Sequence, residues 1–285
     1  MIYALLIGCV LFLSQGLHAE EYYSPENILR FAEHLYDEGD YLRAASEYQR
    51  YLFFSSEDVD QIIYKIGLCY RLCGRPQKAI DWFEKILNEH QESNLLGSAY
   101  YQIGYAYLLM GEYEESILKM KEGLGRVKKK EEQVRFQHLI GLNYLKEKQW
   151  DNAYSLFDSL KEHDGLRESS LRLKRYAEEG ENLSYKSPLL AGLLSSLVPG
   201  AGKIYCGRIK DGLYSLFFIG TAGWLAYNGF KVDGENSLKG WLWGIGGGVL
   251  YAGNIYGSTI AAKVCNRNLE DELFAKIQIE IDLFK

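Results

Sequence analysis

Residues 200–203, Gly-Ala-Gly-Lys, are the part of the chain whose residue types could hold a phosphate. In a nucleotide-binding loop, glycine amides surround the phosphates, a lysine reaches them, and a Ser or Thr directly after the lysine holds magnesium. Such a loop also needs an earlier glycine, separated by four residues from the Gly-Lys pair. Leu197 and Ile204 occupy these two required positions, so the segment does not predict a nucleotide site.

Neither the cysteines nor the histidines are spaced for redox, metal or hydrolytic chemistry. Cys69 and Cys73 share one helical face, where a disulfide has poor geometry. The sequence has no Cys-x-x-Cys, His-Glu-x-x-His or Gly-x-Ser-x-Gly motif. The residues concerned are Cys9, Cys69, Cys73, Cys206, Cys265, His18, His34, His90, His138 and His163. We therefore predict that the protein is not an enzyme and has no catalytic residue, metal site or cofactor.

The composition is typical of a folded protein and gives no attraction to nucleic acid. The chain has 285 residues, of which 47% are hydrophobic and 25% charged, and its net charge is −6. This length allows one large or two ordinary domains. A nucleic-acid-binding protein carries an excess of Lys and Arg, whereas acidic residues are in excess here.

A repeating pattern covers the first half of the chain. Residues 64–87 and 101–124 each contain Ile-Gly, a Tyr three residues later, a second Gly and then a small residue. The same frame fits residues 31–52 and 139–160. The small residues at the last position are 35 to 37 residues apart, at Ala44, Ala79, Ser116 and Ala153.

This pattern resembles the tetratricopeptide repeat, whose period is about 34 residues. The resemblance implies an all-α solenoid of four helical hairpins over residues 25–165, followed by a capping helix and linker over 166–185. The small residues of the first helices are expected to let each first helix approach the second closely. Large residues are expected to fill the space opposite them. The small residues are Gly67, Gly104 and Gly141, and the large ones are Tyr48, Phe83, Met120 and Phe157.

The resemblance also implies a groove that binds a protein or peptide, lined by the first helix of each repeat. Tyr and Arg residues, which often anchor interfaces, are frequent at the groove positions. Those positions are Leu29, Tyr36, Tyr64, Leu68, Arg71, Tyr101, Tyr105, Leu108, Arg135, His138 and Leu142. The alternative is that several of these tyrosines pack between repeats. Leu29 and Glu33 replace the Lys and Asn of the carboxylate-clamp subclass, so a chaperone C-terminus is not the expected partner.

The N-terminal residues 1–19 are predicted to be a signal peptide. Residues 2–13 form an unbroken apolar run, and small residues suited to cleavage follow up to Ala19. No Lys or Arg precedes the run, so an uncleaved anchor is the alternative.

Residues 187–262 are predicted to form a transmembrane module. Residues 212–230 and 240–262 contain no charged residue, and each is long enough to cross a bilayer as a helix. Upstream lies a P-G-x-G-x-x-Y-x-G series, formed by Pro199, Gly200, Gly202, Tyr205 and Gly207. It resembles the turn of small bacterial membrane modules that precedes paired transmembrane helices.

The distribution of Lys and Arg favours three spans, with residues 187–206 also crossing, and two spans are the alternative. Residues 263–285 form a tail. Small residues recur every four positions in the segment 240–262, which favours helix–helix contact in lipid and a homo-oligomer. The alternative is a water-soluble, glycine-rich helical pair.

Together these features predict a membrane-anchored interaction scaffold. An exported groove would bind an envelope protein or peptide in the periplasm, and the module would anchor the chain in the bacterial inner membrane. The expected partners are a protein or peptide and the lipid bilayer, without nucleic acid. The alternative is a subunit of a transport, secretion or insertion apparatus in which the transmembrane module is the working part.

Overall fold

The computed structural model of the protein describes residues 24–283. Within this range all regular structure is helical. The chain divides into two compact units, the first ending at Lys174 and the second beginning at Arg175. The predicted signal peptide, residues 1–19, lies outside the described residues.

The first unit is a series of helical hairpins, in which each helix packs against the next one along the chain. Its helices are α1 (Pro25–Asp37), α2 (Tyr41–Phe54), α3 (Val59–Leu72), α4 (Pro76–Glu89), α5 (Leu96–Met110), α6 (Tyr113–Leu124), α7 (Lys130–Lys146) and α8 (Trp150–Leu160). A further helix, α9 (Arg167–Glu181), begins in the first unit and ends in the second. This arrangement is an all-α solenoid of the tetratricopeptide-repeat kind.

The turns inside the hairpins depend on residues with positive φ. Gly39, Gly74 and Gly111 have φ of 79°, 75° and 81°, which glycine adopts without a Cβ penalty. These three glycines therefore form the turns between the two helices of their hairpins. In the fourth hairpin the equivalent residue is Lys148, with φ of 59°.

The second unit contains the end of α9 and four further helices. These are α10 (Pro188–Leu197), the short α11 (Ala201–Tyr205), α12 (Ile209–Asp233) and α13 (Leu238–Leu283). Helix α13 is 46 residues long and packs against α10, α11 and α12. Large apolar side chains of α12 and α13 are exposed, among them Phe217, Trp224 and Trp241.

Backbone segments meet directly where α10, α11 and α12 join. A Cβ on Gly202 would lie 1.8 Å from the Ala191 carbonyl oxygen, and one on Gly200 would lie 2.0 Å from that of Gly212. Ser195 Oγ accepts a 2.9 Å hydrogen bond from the Gly202 backbone N–H. The glycines of the Pro-Gly series therefore let these helices pack backbone against backbone.

The prediction of a transmembrane module is wrong. None of the helices within residues 24–283 combines the length and the apolar character needed to cross a bilayer. Segments 212–230 and 240–262 lack charge, but Gly, Tyr, Trp and small polar residues make up more than half of each. Segment 187–206 is not one helix, because α10 ends at Leu197 and α11 begins only at Ala201.

Several other predictions depended on that module. The predicted location in a bacterial inner membrane, with the repeats in the periplasm, is wrong for the same reason. A lipid bilayer as partner and a homo-oligomer through transmembrane helices are not supported either. The all-α solenoid of the first unit does not depend on the module.

Candidate protein-binding groove

The first helices of the second, third and fourth hairpins line a small depression in the first unit. Its volume is about 70 Å³. Its walls come from α3, α5 and α7, through Tyr64, Gly97, Ser98, Tyr101, Gln102, Glu132, Arg135 and Phe136. Three residues predicted to line the groove, Tyr64, Tyr101 and Arg135, thus lie around one depression.

Helical spacing explains why the predicted groove residues share a face on each first helix. Residues separated by three, four or seven positions lie on one side of an α-helix. On α3 these are Tyr64, Leu68 and Arg71, and on α5 they are Tyr101, Tyr105 and Leu108. On α7 they are Arg135, His138 and Leu142.

The structure places the predicted groove residues at two depths. One set is at least partly accessible to solvent, and it consists of Leu29, Tyr36, Tyr64, Leu68, Arg71, Tyr101 and Arg135. The others are buried, and they are Tyr105, Leu108, His138 and Leu142. We call the residues Tyr36, Tyr64, Leu68, Arg71, Tyr101 and Arg135 the groove face.

Each arginine of the groove face lies over a tyrosine ring of α5. The Arg71 guanidinium carbon is 5.3 Å from the Tyr105 ring centroid. That of Arg135 is 5.0 Å from the Tyr101 ring centroid. Cation–π contacts of this kind stabilise a guanidinium in one position, so the two positive charges are held in place.

Aromatic contacts also fix the tyrosines. The Tyr101 ring meets Phe136 edge-on, with centroids 5.7 Å apart, and the Tyr64 ring lies 5.4 Å from that of Phe83. Gln102 Nε2 donates a 3.4 Å hydrogen bond to the Tyr64 hydroxyl. These rings are therefore anchored at one end while part of each stays accessible.

Burial and the arginines act in opposite directions on the tyrosine hydroxyls. Burial raises the pKa of Tyr101, and the nearby Arg135 and Arg71 charges partly offset this. Burial likewise raises the pKa of Tyr36, against a lowering by Arg71. Both hydroxyls are therefore protonated near neutral pH and available as hydrogen-bond donors. The Arg71 charge acts on both tyrosines.

Two buried polar atoms at or beside the groove face are Arg71 Nε and Gln102 Oε1. Neither has a hydrogen-bond partner in the described part of the chain. A buried polar atom left unpaired costs roughly 1–3 kcal/mol.

His138 lies inside the unit. It is 2% exposed, and its Nε2 is 3.2 Å from the Ser169 hydroxyl. Its ring meets Phe157 edge-on at 5.5 Å. Burial lowers the pKa of His138 to about 3, so the ring is neutral and packs as part of the core.

The residues of the predicted membrane turn lie in the second unit. Pro199, Gly200 and Gly202 lie between α10 and α12, and Gly207 ends the turn with φ of 79°. The Tyr205 hydroxyl accepts a hydrogen bond of 3.3 Å from the Ser187 backbone N–H. These contacts give the segment a structural role in joining helices.

Gln102 and Phe136 also line the depression, although neither is among the predicted groove residues. Each follows a predicted groove residue directly, Tyr101 and Arg135 respectively. A residue one position away on a helix lies about 100° around the axis, beside the predicted stripe. A wider stripe on α5 and α7 would have included both.

Comparison with known proteins identifies part of the fold. The tetratricopeptide-repeat family model matches residues 60–89 and 97–124, which correspond to the hairpins α3–α4 and α5–α6. The C-terminal part of a repeat-containing protein of this kind from Cytophaga hutchinsonii is similar in structure. It has 16% sequence identity and a TM-score of 0.49, and the match covers 90% of each chain. No curated protein matches the chain.

Proposed function

Since residues 60–89 and 97–124 are tetratricopeptide repeats, we propose that the chain is an interaction scaffold whose groove face binds a segment of a partner protein. Repeat solenoids present extended surfaces to their ligands, and tetratricopeptide repeats bind proteins or peptides. The alternative function, a subunit of a transport, secretion or insertion apparatus, required a transmembrane module. Because that module is not supported, we do not propose this alternative.

The observation that supports this proposal most strongly is the anchoring of the groove face. Tyr64, Tyr101 and both arginines are held by neighbouring rings yet remain partly accessible. Side chains that are already ordered lose little entropy when a partner binds. Tyr and Arg are also the types that contribute most to interface free energy.

A peptide-selection experiment tests the proposal. A random 12-residue peptide library displayed on phage would be selected on the purified chain, and the peptides made with blocked ends. In the double variant Tyr64→Phe, Tyr101→Phe, both side chains keep their ring but lose the hydroxyl at the groove face. We expect the selected peptides to bind this variant at least about tenfold more weakly than the wild type.

The matched control is Tyr105→Phe, because Tyr105 is 2% exposed and a partner would not reach its hydroxyl. Circular dichroism of every variant checks that the helices are retained. If no peptide is selected, or if the selected peptides bind the double variant as tightly as the wild type, the proposal is wrong.

A further inference from the structure

Arg71 and Arg135 have no acidic partner among the residues that the structure describes. Neither guanidinium makes an ion pair with a carboxylate of residues 24–283. Some other cations of the first unit are paired: Lys65 contacts Glu33, and Lys174 Nζ lies 2.7 Å from Asp158 Oδ1. The two arginines of the groove face are therefore left with charge that no side chain of the solenoid neutralises.

The lack of acidic partners for Arg71 and Arg135 is not due to a shortage of acidic residues in the chain. Acidic residues outnumber basic ones, 38 to 32, so carboxylates for pairing are plentiful. Glu132 is the carboxylate at the depression, and its Oε1 lies 3.5 Å from Lys129 Nζ. Arg71 and Arg135 are therefore unpaired cations on the surface for which a partner is proposed.

The groove face is also rich in hydrogen-bond donors. A guanidinium has only donors, and a protonated tyrosine hydroxyl can donate. The Arg71 side chain is partly accessible and that of Arg135 is exposed, and the Tyr36 and Tyr101 hydroxyls stay protonated because burial raises the pKa of each. The complementary ligand is a group that only accepts, and an ionised carboxylate is such a group.

Building on the proposed function, we propose that the groove face selects partner segments carrying Glu or Asp side chains, with the carboxylates bound at Arg71 and Arg135. Arginine suits this role because its planar donors match the two oxygens of a carboxylate. Stacking on Tyr105 and Tyr101 holds each guanidinium before the partner arrives, which reduces the entropy lost on binding.

The test selects the same phage library on three proteins: the wild type, an Arg71→Gln, Arg135→Gln double variant, and Arg75→Gln. Arg75 is exposed in the turn that follows α3 and is not part of the groove face, so its variant removes one charge elsewhere and serves as the control. The peptides are made with amidated C-termini, so that any carboxylate bound is a side chain.

We expect the wild type and Arg75→Gln to enrich peptides with two or more acidic residues, and the double variant to lose this enrichment. For a selected peptide, replacing Glu with Gln should weaken binding about tenfold or more, which is the range of charge-assisted hydrogen bonds. Arg71→Lys should retain part of the affinity, since it keeps the charge but not the planar donors.

Failure of this inference can be told from failure of the proposed function. If neutral or basic peptides are selected and bind less tightly to the Tyr64→Phe, Tyr101→Phe variant, the groove binds peptides but the acidic preference is wrong. If no peptide is selected, both are wrong. A single-stranded oligonucleotide is added as a competitor. If it displaces the peptides, binds more tightly than they do and depends on Arg71, the acidic-peptide proposal is overturned in favour of nucleic acid.

Discussion

Gly67 on α3 lies directly against the ring of Phe83 on α4, so that a methyl group at Gly67 would be 2.5 Å from Phe83 Cε1. The third and fourth hairpins repeat this relationship. A Cβ on Gly104 would be 2.0 Å from Met120 Cε, and one on Gly141 would be 2.5 Å from Phe157 Cζ. The expectation that small residues on the first helices face large residues on the second is confirmed.

Replacement of Gly67 by Ala should lower the free energy of unfolding by about 1–3 kcal/mol, since the Phe83 ring is fully buried and overpacking forces strain. Gly104→Ala should cost less despite the shorter contact, because Met120 meets it with the end of a flexible side chain. Urea denaturation followed by circular dichroism measures both. Gly165→Ala is the control, since nothing lies within 4 Å of its Cβ. Equal effects at Gly67 and Gly165 would contradict the packing account.

Lys148→Gly should stabilise the fourth hairpin. Lys148 has φ of 59°, and a left-handed conformation costs a residue with a Cβ about 1–2 kcal/mol. The reverse change, Gly111→Lys, should destabilise the third hairpin by a similar amount, because Gly111 has φ of 81°. Thermal unfolding of the two variants should therefore shift in opposite directions. A lower melting temperature for Lys148→Gly would show that backbone strain is not the deciding factor there.

His138 should make stability depend on pH below neutrality. Burial lowers its folded pKa from 6.5 to about 3, so the unfolded state binds a proton first as the pH falls. The stabilisation is complete above pH 6.5 and is lost progressively between 6.5 and about 3. In His138→Gln the decrease in the urea midpoint between pH 7 and 4.5 should be smaller than in the wild type. His34→Gln, at an exposed position, should leave that decrease unchanged. An identical pH dependence in wild type and His138→Gln would refute this role.

Cys69 should be much less reactive than Cys73. Its side chain is 0% exposed, and burial, with a smaller effect of Cys73, raises the pKa of the Cys69 thiol to about 12. The thiolate is the reactive form, so iodoacetamide at pH 8 should modify Cys73 first. Cys69 should react only when the unit unfolds in urea. Peptide mass spectrometry identifies the modified residue, and early labelling of Cys69 would contradict its burial.

In the second unit, Gly202→Ala should disrupt the join between α10 and α11. The added Cβ would lie 1.8 Å from the Ala191 carbonyl oxygen, and the backbone, unlike a side chain, cannot turn away. Gly223→Ala is the control, because its Cβ would have open space in a helix, where Ala is favoured over Gly. Loss of helical circular dichroism in Gly202→Ala alone is expected. Equal stability of the two variants would argue against the close approach.

The sequence predicts the hairpins well because their determinants are local. Helical periodicity, the turn glycines and the pairing of Gly67 with Phe83 all lie within about 20 residues of one another. The depth of a groove residue is set by neighbouring hairpins instead. Tyr101 and Tyr105 lie on the same face of α5, yet Tyr101 is partly exposed and Tyr105 is buried beneath the Arg71 side chain.

The error in the second unit has a different cause. Judged by charge alone, residues 212–230 are consistent with a membrane span, because they contain no charged residue. Crossing a bilayer depends on the summed transfer free energy of all residues, to which Gly212, Tyr214 and Asn228 contribute little or unfavourably. The series from Pro199 to Gly207 joins α10 to α12, because Pro and Gly act on the backbone in any surroundings.

The contacts between neighbouring hairpins in the first unit also have a kinetic consequence. Each hairpin packs against the one before and the one after it in the chain, so the contacts join residues that are close in sequence. Chains with such low contact order fold fast, because little loop-closure entropy is lost before contacts form. The hairpin α1–α2 and its neighbour can thus assemble while later repeats are still being synthesised, and each finished hairpin offers the next one a surface on which to fold.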